Sequence, residues 1–410
     1  MTLPSVDEAR ARILSYFRPV KTEHIPLAEA ANRVLAQDII AETDLPLFDN
    51  SSMDGFAVRA EDVAGAGDAS PRQLRVIADI PAGSSPTIIL GSGEAARIMT
   101  GAQMPAGADA VVPVEDTDFD SRDAGSPIPE RVGVRKPIDG GGNVRTRGMD
   151  LHQGDIVLQK GSALKAQALG LLAMLGWAQV PVHRRPRVAL FSTGDELLDV
   201  DERLEPGKIH DSNSYMLAAL IRSAGAEVIR LGVARDSFEA VKTLLDQIAG
   251  LNADLLLSSA GVSVGAYDFV KSVIESKGKM DFWLVNMRPG KPLAFGVFEG
   301  APFIGLPGNP VSAFVGFEVF VRPVLGRLGG HPDGSRKIIR VRVDEEINSD
   351  GRESYLRARL HEQEGVLHGR LTGHQGSGNL LSLVQADALL IIPAGVKCVP
   401  AGQEVDAWLL

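Results

Sequence analysis

The sequence predicts an α/β multidomain protein: a central doubly wound α/β domain, an inserted β-rich domain, a helical/mixed linking domain and a small C-terminal β domain. Three observations predict it. From residue 186 apolar runs alternate with helical stretches, the pattern of a mostly parallel sheet covered by helices. Between about 56 and 147, short β-type runs alternate instead with Gly/Pro turns. After Gly-Gly-His-Pro at 329–332 the helical stretches stop and only β-type runs follow. A length of 410 residues with 44% hydrophobic content is enough for two to four packed cores.

Taken in order, Ser5 and Glu8 have capping-box spacing, and Val6, Ala9, Ile13, Leu14 and Phe17 fall on one helical face. Residues 5–40 read as helix-like, ending at the Pro/Asp/Asn-rich passage TDLPLFDNSSMDG, 43–55. The runs RQLRVIADI, AARIMTG, ADAVVPVE and ERVGVRK, separated by PAGS, MPAGAD and DGGGN, then read as strands and turns. Residues 151–180 return to strand, helix (AQALGLLAMLG) and strand, and can pack back on the N-terminal helix. The expected division is 1–45 plus 148–180 as linking domain, 46–147 as insertion, 181–328 as α/β domain and 329–410 as C-terminal β domain.

In the α/β domain the strands are RVALFS, AEVIRLGVA, ADLLLSS, DFWLVNM and PFIGLP. The helices are SNSYMLAALIRSAGA, SFEAVKTLLDQIAG, YDFVKSVIESKG and PVSAFVGFEVFV. The last domain takes KIIRVRV, SYLRARL, GVLHGRL and ALLIIPA as strands.

Composition excludes several functions. A formal net charge of -10 argues against broad nucleic-acid binding, which needs a basic face. No signal-peptide profile and no run of 18 apolar residues occur, so a membrane is not expected and the cytoplasm is the default; the sequon at Asn50 is then idle. The single cysteine, Cys398, permits no internal disulfide and reads as a buried small hydrophobe. Eight histidines include no HExxH, since His361-Glu362 continues Gln-Glu-Gly, so catalytic zinc is not expected. VSVG at 262–265 lacks the first glycine of a GxSxG elbow, and FSTGDEL stands where a dinucleotide fold needs GxGxxG.

What remains lies in the loops after the strands, which a parallel sheet brings to one edge: STGDEL, ARDS, SSAGVSVGAYD, NMRPGKP and LPGNPVS. Asp195, Glu196, Asp236 and Asp268 are oxygen ligands of the kind Mg²⁺ prefers beside phosphates. Arg288 and Lys291 supply a planar fork and a point charge for an oxyanion. The glycines Gly261 and Gly265 expose backbone N–H groups before a helix, although no P-loop lysine follows. Plainer roles stand beside these: Asp268 as a helix cap, Asp195 and Glu196 as surface acids, PGNP as a turn, Lys291 as a solvated loop lysine. Clustering at one edge favours metal-assisted chemistry on a phosphorylated substrate.

The motifs DNSSMDGFAVR (49–59), IMTGAQMPAGADAVVPVE (98–115), NVRTRGMDL (143–151), FSTGDEL (191–197), SSAGVSVGAYDF (258–269), RPGKPLAFG (288–296), GLPGNPVSA (305–313) and TGHQGSG (372–378) run through nearly the whole chain. In them the sequence resembles the molybdopterin molybdenumtransferase (MoeA) family, related to the gephyrin E domain. The resemblance implies a MogA-like α/β domain within a four-domain subunit, and a homodimer with its active site at the subunit interface. It implies insertion of molybdate into adenylylated molybdopterin with Mg²⁺ and release of AMP, molybdenum being captured by the dithiolene sulfurs. Glu196, Asp236 and Asp268 match metal and catalytic positions. Asp54, Thr100 and Asp150 match catalytic positions acting from the partner subunit. Arg288, Lys291, Ser312, Arg357 and Ser377 match molybdate positions, and Gly194, Gly261, Ser263 and Gly265 would form the nucleotide or phosphate loop.

Two departures qualify this transfer. Arg288 stands where some members have lysine, and in the C-terminal domain only Arg357 and the TGHQGSG stretch anchor the alignment, a solvent-facing strand arginine being the plain alternative for Arg357. The resemblance also implies transient contact with the adenylylating enzyme and with molybdoenzyme maturation proteins. An adenylyltransferase acting one step earlier and a receptor-clustering scaffold stay as rivals, and tungstate stands open beside molybdate.

Overall fold

The computed structural model describes residues 3–119, 127–260, 264–331 and 336–410, with side chains at 248–249, 260–268 and 282–283 outside the description. Two compact units result: Met1–Gln37 with Lys160–Ala173 and Trp177–Leu410, and Asp38–Gln159 with Met174–Gly176.

In the smaller unit a five-stranded sheet runs in the order Ala110–Pro113, Gly55–Val58, Glu94–Ile98, Arg72–Ile80, Arg131–Val134. Only Arg72–Ile80 and Glu94–Ile98 pair in parallel. Strand alternation supplies two cores: Phe56, Val58, Leu74 and Val76 on one face, Ala57, Ile80, Ile98 and Val111 on the other. Gly55 has no room for a side chain, because a Cβ there would lie 2.0 Å from the carbonyl oxygen of Val112.

The larger unit opens with the helix Val6–Ser15, where the capping box is complete. The Glu8 N–H donates to Ser5 Oγ at 3.2 Å and the Ser5 N–H to Glu8 Oε2 at 2.8 Å. The helix ends there, which corrects the helix-like reading of 5–40. Thr22–Pro26 is a strand, antiparallel to Gln179–His183, and only the three-residue turn Leu27–Glu29 is helical beyond it. Pro19 and Pro26 cannot donate within a helix, and the intervening Thr-Glu-His-Ile suits a pleat.

The central sheet has six strands in the order Glu227–Ala234, Arg187–Thr193, Leu255–Ala260, Ala301–Pro307, Pro292–Phe298, Gly278–Leu284. The first four are parallel and the last two antiparallel. Val188, Leu190, Leu255, Leu257, Ile304 and Leu306 pack with the helix Ser212–Ser223 and the segment after Pro310. Ala189, Phe191, Leu256 and Phe303 pack on the opposite side with the helices Phe238–Asp246 and Val264–Lys277. Covered on both faces, the sheet is doubly wound. The strand Pro292–Phe298 was hidden in a motif of Gly and Pro. It joins Ala301–Pro307 through Glu299-Gly300, whose φ values of 47° and 83° suit a primed hairpin turn.

At the C-terminus Glu353–Gln363, Val366–Leu371, Ile338–Val343, Glu404–Leu409 and Ala388–Ile392 pair in that order, and Ala388–Ile392 closes back on Glu353–Gln363 as a small barrel. Two expectations need correction here. A short helix, Leu380–Val384, interrupts the strands, and Cys398 is exposed because strand alternation turns Val399 inward instead. No helix among the described residues is long and apolar enough to cross a membrane.

One buried charge is fully answered. The Glu318 side chain is 0% exposed between Arg322 and Arg336, each reaching both carboxylate oxygens, at 2.5–2.9 and 2.6–3.1 Å. Burial pushes its pKa up, but the hydrogen bonds and charges of the two guanidinium groups hold it below the usual carboxylate range. Replacing Glu318 by Ala should cost about 3 kcal/mol, since two half-buried guanidinium groups lose their shared partner. A carboxyl with a depressed folded pKa contributes stability above its unfolded pKa and loses it as pH falls through the folded value. Urea unfolding of wild type should therefore show a fall in stability below about pH 4.5 that is smaller in Glu318→Ala; an identical acid response would contradict this.

Candidate functional site

Parallel register places the strand ends level. Thr193 lies opposite Ala234 and Ala260, and Ala260 opposite Pro307, so the four strands end together at one edge of the sheet. The Gly194 N–H donates to the Ala234 carbonyl at 3.2 Å and the Asp236 N–H to Asp195 Oδ1 at 3.3 Å, which joins the first two loops. Gly194 has φ 151°, and a Cβ there would lie 2.7 Å from Glu196 Oε2, so glycine lets that carboxylate fold back over the loop. The Lys208 ammonium donates to the Asp195 carbonyl, and the Ile209 N–H to the Glu196 carbonyl at 2.8 Å.

Three acids thus meet at this edge. The Asp236 pKa is raised, first by burial and then by the charges of Asp195 and Glu196. Its Oδ1 is buried without a hydrogen-bond partner, as are Ser192 Oγ, Thr193 Oγ1, Ser258 Oγ and Asn213 Oδ1. Asn213 Nδ2 donates to Ser259 Oγ at 2.8 Å and to the Gly308 carbonyl at 2.7 Å, fixing the start of the helix Ser212–Ser223 against the PGNP loop. Buried polar atoms left open at strand ends are what a polar ligand would satisfy. Sequence reading overlooked Ser192, Thr193, Ser258 and Asn213. The signal was present in the shift from aliphatic residues to Ser-Thr and Ser-Ser at the ends of two strands.

Of the SSAGVSVGAYD loop, Gly261 and Ser263 lie outside the described residues, as do the side chains at Gly265 and Asp268. The backbone corrects one expectation. The helix begins at Val264, so Asp268 is its fifth residue and not its opening one, and the first turn carries no acid. Small and apolar residues, Val264, Gly265 and Ala266, form that turn where an acidic cap was expected.

The cationic half is built by three segments. Met287–Arg288 pairs with Glu353–Ser354 of the barrel. Gly290, whose φ of 100° favours glycine, lies against the PGNP helix, where a Cβ would be in ordinary contact, 3.5 Å from the Ser312 carbonyl oxygen. Ser312 is buried in the helix Pro310–Gly316, and the neighbouring Val311 N–H donates to the Ser377 carbonyl at 3.0 Å. Arg288 and Lys291 are exposed, and Arg288 Nη1 stands 3.7 Å from Asp350 Oδ2. Arg357, by contrast, is 0% exposed, which overturns the solvent-facing alternative. Burial, then the neighbouring charge of Arg288, lowers its pKa to about 10, and it has no carboxylate at ion-pair distance among the described residues. Its guanidinium donates to Ser382 Oγ at 3.0 Å and to the carbonyls of His374, Gln375 and Gly376 at 3.0–3.3 Å. Arg357 therefore shapes the loop that carries Ser377.

Asp54, Thr100 and Asp150 belong to the smaller unit. Asp54 Oδ1 accepts from the Thr100 N–H at 2.7 Å and from its hydroxyl at 2.8 Å, which together hold the Asp54 pKa down. Asp150 Oδ2 accepts from Arg145 Nη2 at 2.9 Å and is exposed. A cleft of about 620 Å³ opens at the amino ends of the strands and is lined by cations including Lys165, Arg185 and Arg222, but it holds none of the motif residues. The loop motifs of the central sheet lie instead at the carboxyl ends.

Comparisons agree along the whole chain. Residues 4–176 match the family model of the MoeA N-terminal region (domain I and II), 189–327 that of a probable molybdopterin binding domain, and 340–410 that of the MoeA C-terminal region (domain IV). A molybdopterin molybdenumtransferase of Nostoc sp. is 42% identical over 392 residues, 94% of this chain and 88% of that protein. Molybdopterin molybdenumtransferase 2 of Mycobacterium tuberculosis is 40% identical over 411 residues, 98% and 99% of the two chains. Among solved structures, the molybdopterin biosynthesis moea protein of Pyrococcus horikosii superposes with a TM-score of 0.85 at 34% identity, covering 100% of this chain and 99% of that one.

The acid cluster generates a stability prediction. A raised aspartate pKa means that the folded state holds its proton more tightly than the unfolded chain, so stability falls as pH rises from about 4 through the folded value. Asp236→Asn should raise Tm at pH 7.5 by a few degrees while activity is lost, and the gain should vanish below about pH 4. A lower Tm at neutral pH would show that the charge is not under strain.

Proposed function

The chain belongs to the MoeA family of molybdopterin molybdenumtransferases, and from that premise we propose how its two ionic half-sites perform the reaction. The protein acts in molybdenum cofactor biosynthesis, inserting molybdate into adenylylated molybdopterin with release of AMP. The observation that carries the residue-level reading is Arg357, a buried guanidinium that has no carboxylate at ion-pair distance among the described residues and lies near the charge of Arg288. Such a pair is relieved by an anion, and molybdate is a tetrahedral dianion.

Arg288 and Lys291 supply the exposed charges and the Ser312 and Ser377 hydroxyls the neutral donors. One guanidinium N–H of Arg357 remains beyond its four hydrogen bonds. The orphaned Ser192, Thr193 and Ser258 hydroxyls, with the backbone of Gly194 and of the loop holding Gly261, Ser263 and Gly265, cradle the nucleotide phosphates. The acid set is oxygen-only and fits Mg²⁺, with Glu196, Asp236 and Asp268 as its holders and the buried, unpartnered Asp236 Oδ1 as the most exacting position. When bound, the ion neutralises phosphate charge. The side chains orient the dithiolene substrate beside molybdate and stabilise the charge that develops as the phosphoanhydride opens, without a covalent enzyme intermediate.

We further propose a homodimer in which Asp54, Thr100 and Asp150 act from the partner subunit, and a cytoplasmic location. Contacts with the adenylylating enzyme and with maturation proteins are transient.

Two variants separate the half-sites. Asp268→Ala should keep the wild-type Tm and lose AMP release by 100-fold or more, on the order of 3 kcal/mol of transition-state stabilisation. Collapse of Tm would assign it a structural role. Arg288→Ala should raise the molybdate KM about tenfold or more while kcat changes less; an unchanged KM would remove Arg288 from the oxyanion site.

A further inference from the structure

Away from this edge, the barrel brings three metal-binding side chains together. Glu353–Gln363 and Val366–Leu371 form a hairpin whose turn, Glu364-Gly365, has φ values of 53° and 74°, the conformation of a primed two-residue turn. That turn sets the register in which His361 stands directly opposite His368, their ring centroids 5.4 Å apart. Asp344 follows the neighbouring strand Ile338–Val343 and is fixed by its own N–H, which donates to the Gly369 carbonyl at 3.1 Å. His368 Nδ1 lies 2.9 Å from Asp344 Oδ1, and His361 Nε2 lies 3.7 Å from Asp344 Oδ2. One donor atom from each residue falls within 4.8 Å of the others.

Zinc bonds of about 2.0–2.1 Å in tetrahedral geometry require ligand atoms about 3.3 Å apart; His368 Nδ1 and His361 Nε2 flank the two oxygens of one carboxylate at 2.9 and 3.7 Å, so small side-chain rotations bring one donor from each residue to that spacing. The side chains of His368, Asp344 and His361 are 15%, 26% and 49% exposed, so the cluster opens to solvent on the His361 side. We propose that Asp344, His361 and His368 form a binding site for a borderline transition-metal dication of the Zn²⁺ class. Two imidazoles and one carboxylate hold the ion, and water completes the shell. Imidazole nitrogen selects this class over Mg²⁺, which distinguishes the site from the oxygen-only acids at the sheet edge. The ligands escape a sequence search because they face one another across a hairpin, whereas HExxH places its histidines on one helix.

The test is calorimetric titration of the full-length protein with Zn²⁺ in excess Mg²⁺, with imidazole NMR of the same samples. One Zn²⁺ per chain is expected, with shifts confined to the His361 and His368 resonances. His361→Ala should weaken binding at least tenfold and leave AMP release unchanged, and Asp344→Asn should weaken binding likewise. Absence of binding at tens of micromolar Zn²⁺, or an affinity that His361→Ala does not change, would overturn the assignment.

Discussion

The functional edge of the larger unit depends on four strands pairing in parallel. Antiparallel pairing would send alternate loops to opposite ends of the sheet, separating Glu196 from Asp236. Parallel register instead carries the loops after Thr193, Ala234, Ala260 and Pro307 to one edge, with helices covering both faces. The antiparallel hairpin through Glu299-Gly300 then reverses the chain, so that Pro292–Phe298 starts where its parallel neighbours end. That reversal brings Arg288, Gly290 and Lys291 to the same edge as Ser312.

Charge is treated in two ways within this unit. Glu318 is buried among four short hydrogen bonds from two arginines, so its cost of desolvation is offset on the spot. Asp236 and Arg357 meet no opposite charge among the described residues: one lies near other carboxylates, and the other, though hydrogen-bonded to Ser382 and three carbonyls, lies near a second guanidinium. A fold tolerates unanswered charge of either sign where a ligand of the opposite sign answers it. The acids and the cations therefore divide the substrates between them, phosphate with its metal on one side and the oxyanion on the other.

Much of this was legible in the residues. The three inner parallel strands stand out because strands buried on both faces read as near-continuous apolar runs, and RQLRVIADI of the smaller unit spans its strand, Arg72–Ile80, in full. Elements governed by partners distant in sequence were harder. Thr22–Pro26 is a strand only because Gln179–His183 lies beside it, and Pro292–Phe298 only because a two-residue turn folds it back. Burial followed the same pattern. Cys398 faces outward by the phase of a two-residue strand, and Arg357 is interior because the His374–Gly376 carbonyls wrap its guanidinium. The position of Asp268 within its helix turned on a start site set by apolar residues, which carry no capping signal.

The most direct measurement is AMP release from adenylylated molybdopterin by the purified wild-type protein with Mg²⁺, with and without molybdate. Release that rises with molybdate and leaves a molybdenum-loaded cofactor is expected from two half-sites that act together. Release at the same rate without molybdate, or tight substrate binding with no release, would contradict the coupling of the oxyanion site to the phosphate site.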